Sequence, residues 1–178
     1  IEGKRVEAAM LWDAAFGQIE NLGMKLNYIE MPIQDTIAGY TLSSNDKFVK
    51  ENPKAVAGFC RSVLKGLHFA MTNKEAAIRI FFKEFPTTVP AGVDEPTAVK
   101  QAVNVLNMWL NAAMKGVTYG GKYGEFDTKK WVALKDLYTK TGSLKGTVPA
   151  EQGYTTQFTD QCNDFNREEV ASAAKAWK

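Results

Sequence analysis

Val6-Glu7-Ala8-Ala9-Met10-Leu11-Trp12, running on into Asp13-Ala14-Ala15-Phe16-Gly17-Gln18-Ile19-Glu20-Asn21-Leu22-Gly23, is the stretch on which the fold reading turns. Its first seven residues read as a buried strand feeding a helix start. Asp13 stands where an N-cap side chain can accept from the open amides of the first turn, and Gly23 permits a left-handed stop. Residues 25–31 follow as a second β-prone run carrying Leu26, Tyr28 and Ile29, ended by Pro32. Strand, helix and strand within about thirty residues form a βαβ-like unit, which needs a sheet supplied from elsewhere. The expectation is therefore an α/β fold. A domain opening in mid-strand also predicts that an N-terminal portion of a longer protein precedes Ile1. Residues 37–43, with Tyr40 and Thr41 at their centre, make a third strand candidate.

Beyond Asn52 the apolar period becomes helical. Asn52-Pro53 predicts a helix start, and Val56, Phe59, Val63, Leu67 and Ala70 form its inward stripe. Asn73 opens a second helix through Ile78, Phe81 and Phe82, closed by Pro86. Asp94-Glu95-Pro96 opens a third, with Val99, Val103, Leu106, Leu110 and Ala113 inward and Gly116 after it. Residues 117–124 are rich in glycine and read as a loop. Asp127 caps a fourth helix bearing Trp131, Leu134 and Leu137, residues 154–162 are a short helix candidate, and Asn166-Arg167-Glu168-Glu169 starts the last helix.

Composition narrows the function without naming it. The 178 residues, 45% hydrophobic and 24% charged, suit an ordinary folded protein rather than a disordered one. No apolar run approaches the ~18 residues of a membrane helix. Twenty-two basic and 20 acidic residues, well mixed, leave no nucleic-acid footprint. A single histidine, His68, and two cysteines, Cys60 and Cys162, give hydrolytic triads and multi-ligand metal sites little to work with. No catalytic residue, metal or cofactor is expected.

Trp12-Asp13 is the most informative pair. At a strand-to-helix junction, ligands of open α/β folds meet loop side chains and helix amides. Trp12 can stack on a planar or apolar ligand, and Asp13 can accept from a cationic or amide-bearing one. The competing reading makes Trp12 core and Asp13 only a cap. His68, between Leu67 and Phe69 with no carboxylate nearby in sequence, reads as a surface or half-buried structural histidine. Cys60 and Cys162 read as free thiols or small fillers, and an oxidising compartment would also permit a bridge. Gly120-Gly121-Lys122-Tyr123-Gly124 lacks the Walker spacing and reads as a connector.

Several stretches together carry a family resemblance. Gly3-Lys4-Arg5-Val6-Glu7-Ala8-Ala9-Met10-Leu11-Trp12-Asp13, Phe48-Val49-Lys50-Glu51-Asn52-Pro53, Met71-Thr72-Asn73-Lys74-Glu75-Ala76-Ala77 and Tyr154-Thr155-Thr156-Gln157-Phe158 resemble, in order, segments of bacterial ABC-transporter substrate-binding proteins. So do Asn163-Asp164-Phe165 and the closing Ala174-Lys175-Ala176-Trp177. The branch is the nitrate/taurine/sulfonate and thiamine-pyrimidine (NMT1/THI5-like) type. Glu7 departs from its usual Asp, and Lys74 stands where Pro is common.

The resemblance implies the C-terminal half of a two-lobed periplasmic-binding-protein type II fold, mostly helical here. Residues 1–36 would end lobe two, 37–47 form the crossover or hinge strand, and 48–178 clothe lobe one. It implies a non-enzymatic solute-binding component of an ABC importer, periplasmic or anchored outside the membrane. Its partners would be a small organic solute, an inner-membrane permease and, through the truncated half, a second copy. Trp12 and Asp13 would line the lobe-two wall, and Tyr40 and Thr41 the hinge side. The rival readings are a pyrimidine-synthesising enzyme of the same fold, which expects a reactive histidine, and a sensor or partner-binding helical domain.

Overall fold

A computed structural model describes residues 6–115, 121–125 and 127–177. The Gly3-Lys4-Arg5 part of the N-terminal motif, Gly116 and residues 117–120 of the glycine-rich loop lie outside the described residues. Eight α-helices appear among the described residues: α1 (Asp13–Asn21), α2 (Asp46–Glu51), α3 (Pro53–Thr72), α4 (Lys74–Glu84), α5 (Glu95–Ala113), α6 (Thr128–Lys140), α7 (Thr159–Cys162) and α8 (Arg167–Ala176). Short 3-10 turns occupy Pro32–Asp35, Pro86–Thr88 and Ala150–Gly153.

No strand occurs among the described residues, which corrects the α/β expectation for 6–12, 25–31 and 37–43. The backbone does adopt extended dihedrals at Trp12 (φ −77°, ψ 156°) and Met31 (φ −110°, ψ 113°). Extended residues become a strand only when a neighbour closes the hydrogen-bond ladder, and none is paired here. Tyr28 instead folds back on α1. Its ring meets Phe16 edge-on at 5.5 Å, and its hydroxyl donates to Glu20 Oε1 at 2.7 Å.

The helix starts follow the capping side chains closely. Asn73 accepts from the Ala76 amide at 3.0 Å, Asp94 from Thr97, Asp127 from Lys129 and Asn166 from Glu169. Two starts differ. Trp12, not Asp13, occupies the cap position of α1, and Asp13 is its first helical residue. Asn52 donates its side-chain amide back to the Phe48 carbonyl instead of capping α3.

The chain divides into two compact units. The first comprises Ile1–Tyr28, Phe69–Gly116 and Val170–Lys178. There α1 lies along α5, drawn in by Gly17, whose absent side chain lets the backbones approach at Val105. Asn21 Nδ2 donates to the Gln101 carbonyl at 2.9 Å, and Arg79 of α4 pairs with Glu75 and with Glu95 at the start of α5. Asn73 does double duty, since its Nδ2 also donates to the Ala174 carbonyl of α8 at 2.9 Å. The buried positions are small: Ala15, Ala76, Ala98, Val99 and Ala174, with Leu110 the largest.

The second unit comprises Ile29–His68 and Val117–Glu169. Its α3 buries Ala57, Leu64 and His68, not the expected stripe, and leaves Phe59 and Val63 exposed. Cys60 and Cys162 form a disulfide across 102 residues with Cα atoms 5.2 Å apart, so the reading as free thiols is corrected. Trp131 of α6 stacks on Tyr154 at 5.6 Å, over the 3-10 turn that ends at Gly153.

Candidate functional site

The Trp12-Asp13 junction belongs to the first unit. Trp12 is 66% exposed, so the reading of its indole as core fails. Its carbonyl accepts from the Ala15 amide at 3.0 Å, which fixes the backbone at the mouth of α1 while the ring faces solvent. Asp13 is half-buried and sets an acidic charge in the first turn, where the helix dipole favours it. An indole face and a carboxylate side by side suit a planar ligand that donates N–H groups.

Tyr40 and Thr41 belong to the second unit and are both exposed, on the irregular stretch before α2. Each unit also leaves apolar side chains open near its pair in sequence. Met10 and Ile29 are each about four-fifths exposed (82% and 81%), and Leu11, Met31, Ile33, Leu42 and Phe48 are also open.

A groove of about 410 Å³ in the first unit is lined by Glu20, Asn21, Thr97, Lys100, Gln101 and Asn104. Its polar groups bind one another. Asn104 Nδ2 reaches the Gly17 carbonyl, Glu20 Oε2 and Asn21 Oδ1, all at 3.3 Å. The groove is thus an interlock between α1 and α5. Local shielding of the Tyr28 hydroxyl, followed by its bond to Glu20 and that carboxylate's charge, pushes the phenol up to about 12. A raised phenol stabilises the fold fully below the ordinary tyrosine range, near pH 10. That stabilisation disappears as pH climbs through about 12. Ultraviolet titration of wild type against Tyr28→Phe should therefore show one phenolate forming near pH 12 that the variant lacks. A difference spectrum centred near 10 would contradict the Glu20 contact.

His68 is buried, 7% exposed, and engaged at both nitrogens. Nε2 lies 3.1 Å from the Arg167 carbonyl, which can only accept, so Nε2 carries the proton. In the neutral ring Nδ1 then accepts from the Tyr123 hydroxyl at 2.7 Å. Arg167 covers the Tyr123 ring with its guanidinium 4.3 Å from the centroid and donates to the Gly121 carbonyl at 2.7 Å. Asn163 pairs with the Tyr123 backbone in both directions, at 2.9 Å each way. The structural role agrees with the sequence reading, but His68 is buried rather than at the surface or half-buried, and its partners are not evident from sequence. No local spacing signals them, since Asn163 follows the end of α7 and Arg167 opens α8. Among the described residues no group of histidine, cysteine and carboxylate side chains is arranged to hold a metal ion.

Residues 1–77 match the NMT1/THI5-like family. That stretch holds Trp12, Asp13, Tyr40 and Thr41 together with the Asn52-Pro53 and Asn73 helix starts. The chain is also distantly homologous to the riboflavin-binding protein RibY of Chloroflexus aurantiacus, at 22% identity over 141 residues. The alignment takes in 79% of this chain but only 38% of that protein, so the chain spans well under half the length of its relative. No solved structure matches it at a significant level. Among the described residues no helix is long and apolar enough to cross a membrane, and the Cys60–Cys162 bond fits an oxidising, extracytoplasmic location.

Proposed function

We propose that this chain is part of the solute-binding component of an ABC importer, working in the periplasm or anchored outside the membrane. It captures a small organic molecule between two lobes and presents it to a membrane permease. The observation that carries this reading is the open Trp12 indole beside Asp13, inside the stretch that matches the NMT1/THI5-like family. Tyr40 and Thr41 contribute from the hinge side.

A planar, nitrogen-bearing ring is the solute these side chains suit best. Trp12 and Tyr40 offer aromatic faces, Asp13 accepts from ring N–H or exocyclic amino groups, and Thr41 can donate or accept. The riboflavin-binding relative favours the same class over nitrate or a simple sulfonate. Lobe closure would follow from the solute's preference for the shut form. The enzyme reading needs a reactive histidine, whereas both ring nitrogens of His68 hold the second unit together.

Calorimetry on the protein carrying this chain tests the proposal, with riboflavin, an aminopyrimidine and a small sulfonate as titrants. Binding is expected for a flavin or pyrimidine. Trp12→Ala should then weaken it roughly ten-fold or more, the 1.4 kcal/mol typical of losing an aromatic stack. Absence of binding across the three classes, or a Trp12→Ala variant with unchanged affinity, would sink it.

A further inference from the structure

The glycine-rich turn at residues 121–125 is held by the segment from Asp160 to Arg167 and by His68 of α3, whose Nδ1 lies 2.7 Å from the Tyr123 hydroxyl. Asp160 Oδ1 pairs with Lys122 Nζ at 2.6 Å, and this raises the Lys122 ammonium above its usual range. Asn163 closes the two-way bond to the Tyr123 backbone, and its Nδ2 also donates to the Thr159 carbonyl at 2.8 Å. Arg167 takes the Gly121 carbonyl and the Tyr123 ring, and its guanidinium also donates to Asn163 Oδ1 at 3.1 Å. In the middle of this segment sits Cys162, 4% exposed and bonded to Cys60 of α3. The segment also meets α3 through Arg61 Nε to the Gln161 carbonyl at 2.9 Å, Arg61 with Asp164 at 3.6 Å, His68 with the Arg167 carbonyl, and the Phe165 ring edge-on to His68 at 6.2 Å.

We propose that the Cys60–Cys162 bond is a redox-sensitive latch on this turn. Oxidised, it pins Asn163, and Asn163 pins Tyr123. A dithiol reductant opens it in two exchange steps. One thiolate of the reductant attacks a protein sulfur and expels the other as a thiolate. The reductant's second thiolate then resolves the mixed disulfide, leaving a cyclic disulfide on the reductant and protonated thiols at Cys60 and Cys162. With the covalent tie gone, the segment and turn are held to α3 by the non-covalent contacts of Arg61 and His68, and the turn opens more often. The helices of the second unit stay formed.

Amide hydrogen exchange with fragmentation that resolves Tyr123, on the protein carrying this chain with and without dithiothreitol, is the test. Reduction should speed exchange of the Tyr123 amide at least ten-fold, and by more than it speeds amides in the middle of α3 such as Leu64. Asn163→Ala should give the fast Tyr123 amide with the disulfide intact and remove most of its response to reductant. Equal acceleration throughout α3, whether from general loosening or from unfolding, would overturn the latch. So would a Tyr123 amide indifferent to reduction, or an Asn163→Ala variant that still responds in full.

Discussion

Gly17→Val forces α1 away from α5. A side-chain carbon built at Gly17 falls 3.0 Å from Val105 Cα and 3.3 Å from both Val105 N and Met108 Cγ. The methionine can swing aside, but the two backbone atoms cannot, and valine adds two methyl groups beyond that carbon. Relief requires a shift of the whole helix, which would also stretch the Asn21–Gln101 bond and the Asn104 contacts beside it. Overpacking of this kind costs about 1–3 kcal/mol, and the upper end is expected where the obstacle is main chain. Denaturant unfolding should show that loss for valine and a smaller one for Gly17→Ala. A valine variant within about 0.5 kcal/mol of wild type would mean that the two helices do not meet closely at this point.

The paired substitution Cys60→Ser/Cys162→Ser should lower stability by about 2–5 kcal/mol under non-reducing conditions. Closing a loop of 102 residues removes much of the unfolded chain's freedom, an effect the loop-entropy account puts near 4.7 kcal/mol. Wild type in excess dithiothreitol should fall to the same level, while the serine variant ignores the reductant. Coincident unfolding curves for variant and oxidised wild type would show that the bond contributes nothing.

The parts of this molecule that were legible in its sequence are those decided within one helical turn. Asn73, Asp94, Asp127 and Asn166 cap helices where their spacing places them, because a cap needs only the next two or three amides. The strands were misread because a strand is completed by a partner that local pattern does not contain. The wrong stripe was chosen on α3 for a related reason. Val56, Phe59, Val63 and Leu67 are the more apolar series, yet the face that packs carries Ala57, Leu64 and His68, beside Cys60 and its partner a hundred residues away. Trp12 and Asp13 were picked out by type and position. The exposure that takes the indole out of the core depends on how little covers the chain ahead of α1. Tyr123, Asn163 and Arg167 are joined across forty residues or more from the turn to its clamp, and neither side alone hints at the other.

The alanine-lined interior inverts the usual order of mutational sensitivity. Ala98 and Ala174 are wholly enclosed, Ala76 nearly so, while bulky Phe59 and Phe85 stand in solvent. Trimming side chains to a methyl group, the standard survey, would therefore leave the tightest contacts untouched and score mostly outward-facing residues. A survey that enlarges instead, placing serine, valine or leucine at these methyl positions, would find the intolerant sites, because close-packed helices have no slack to accept even a few added atoms.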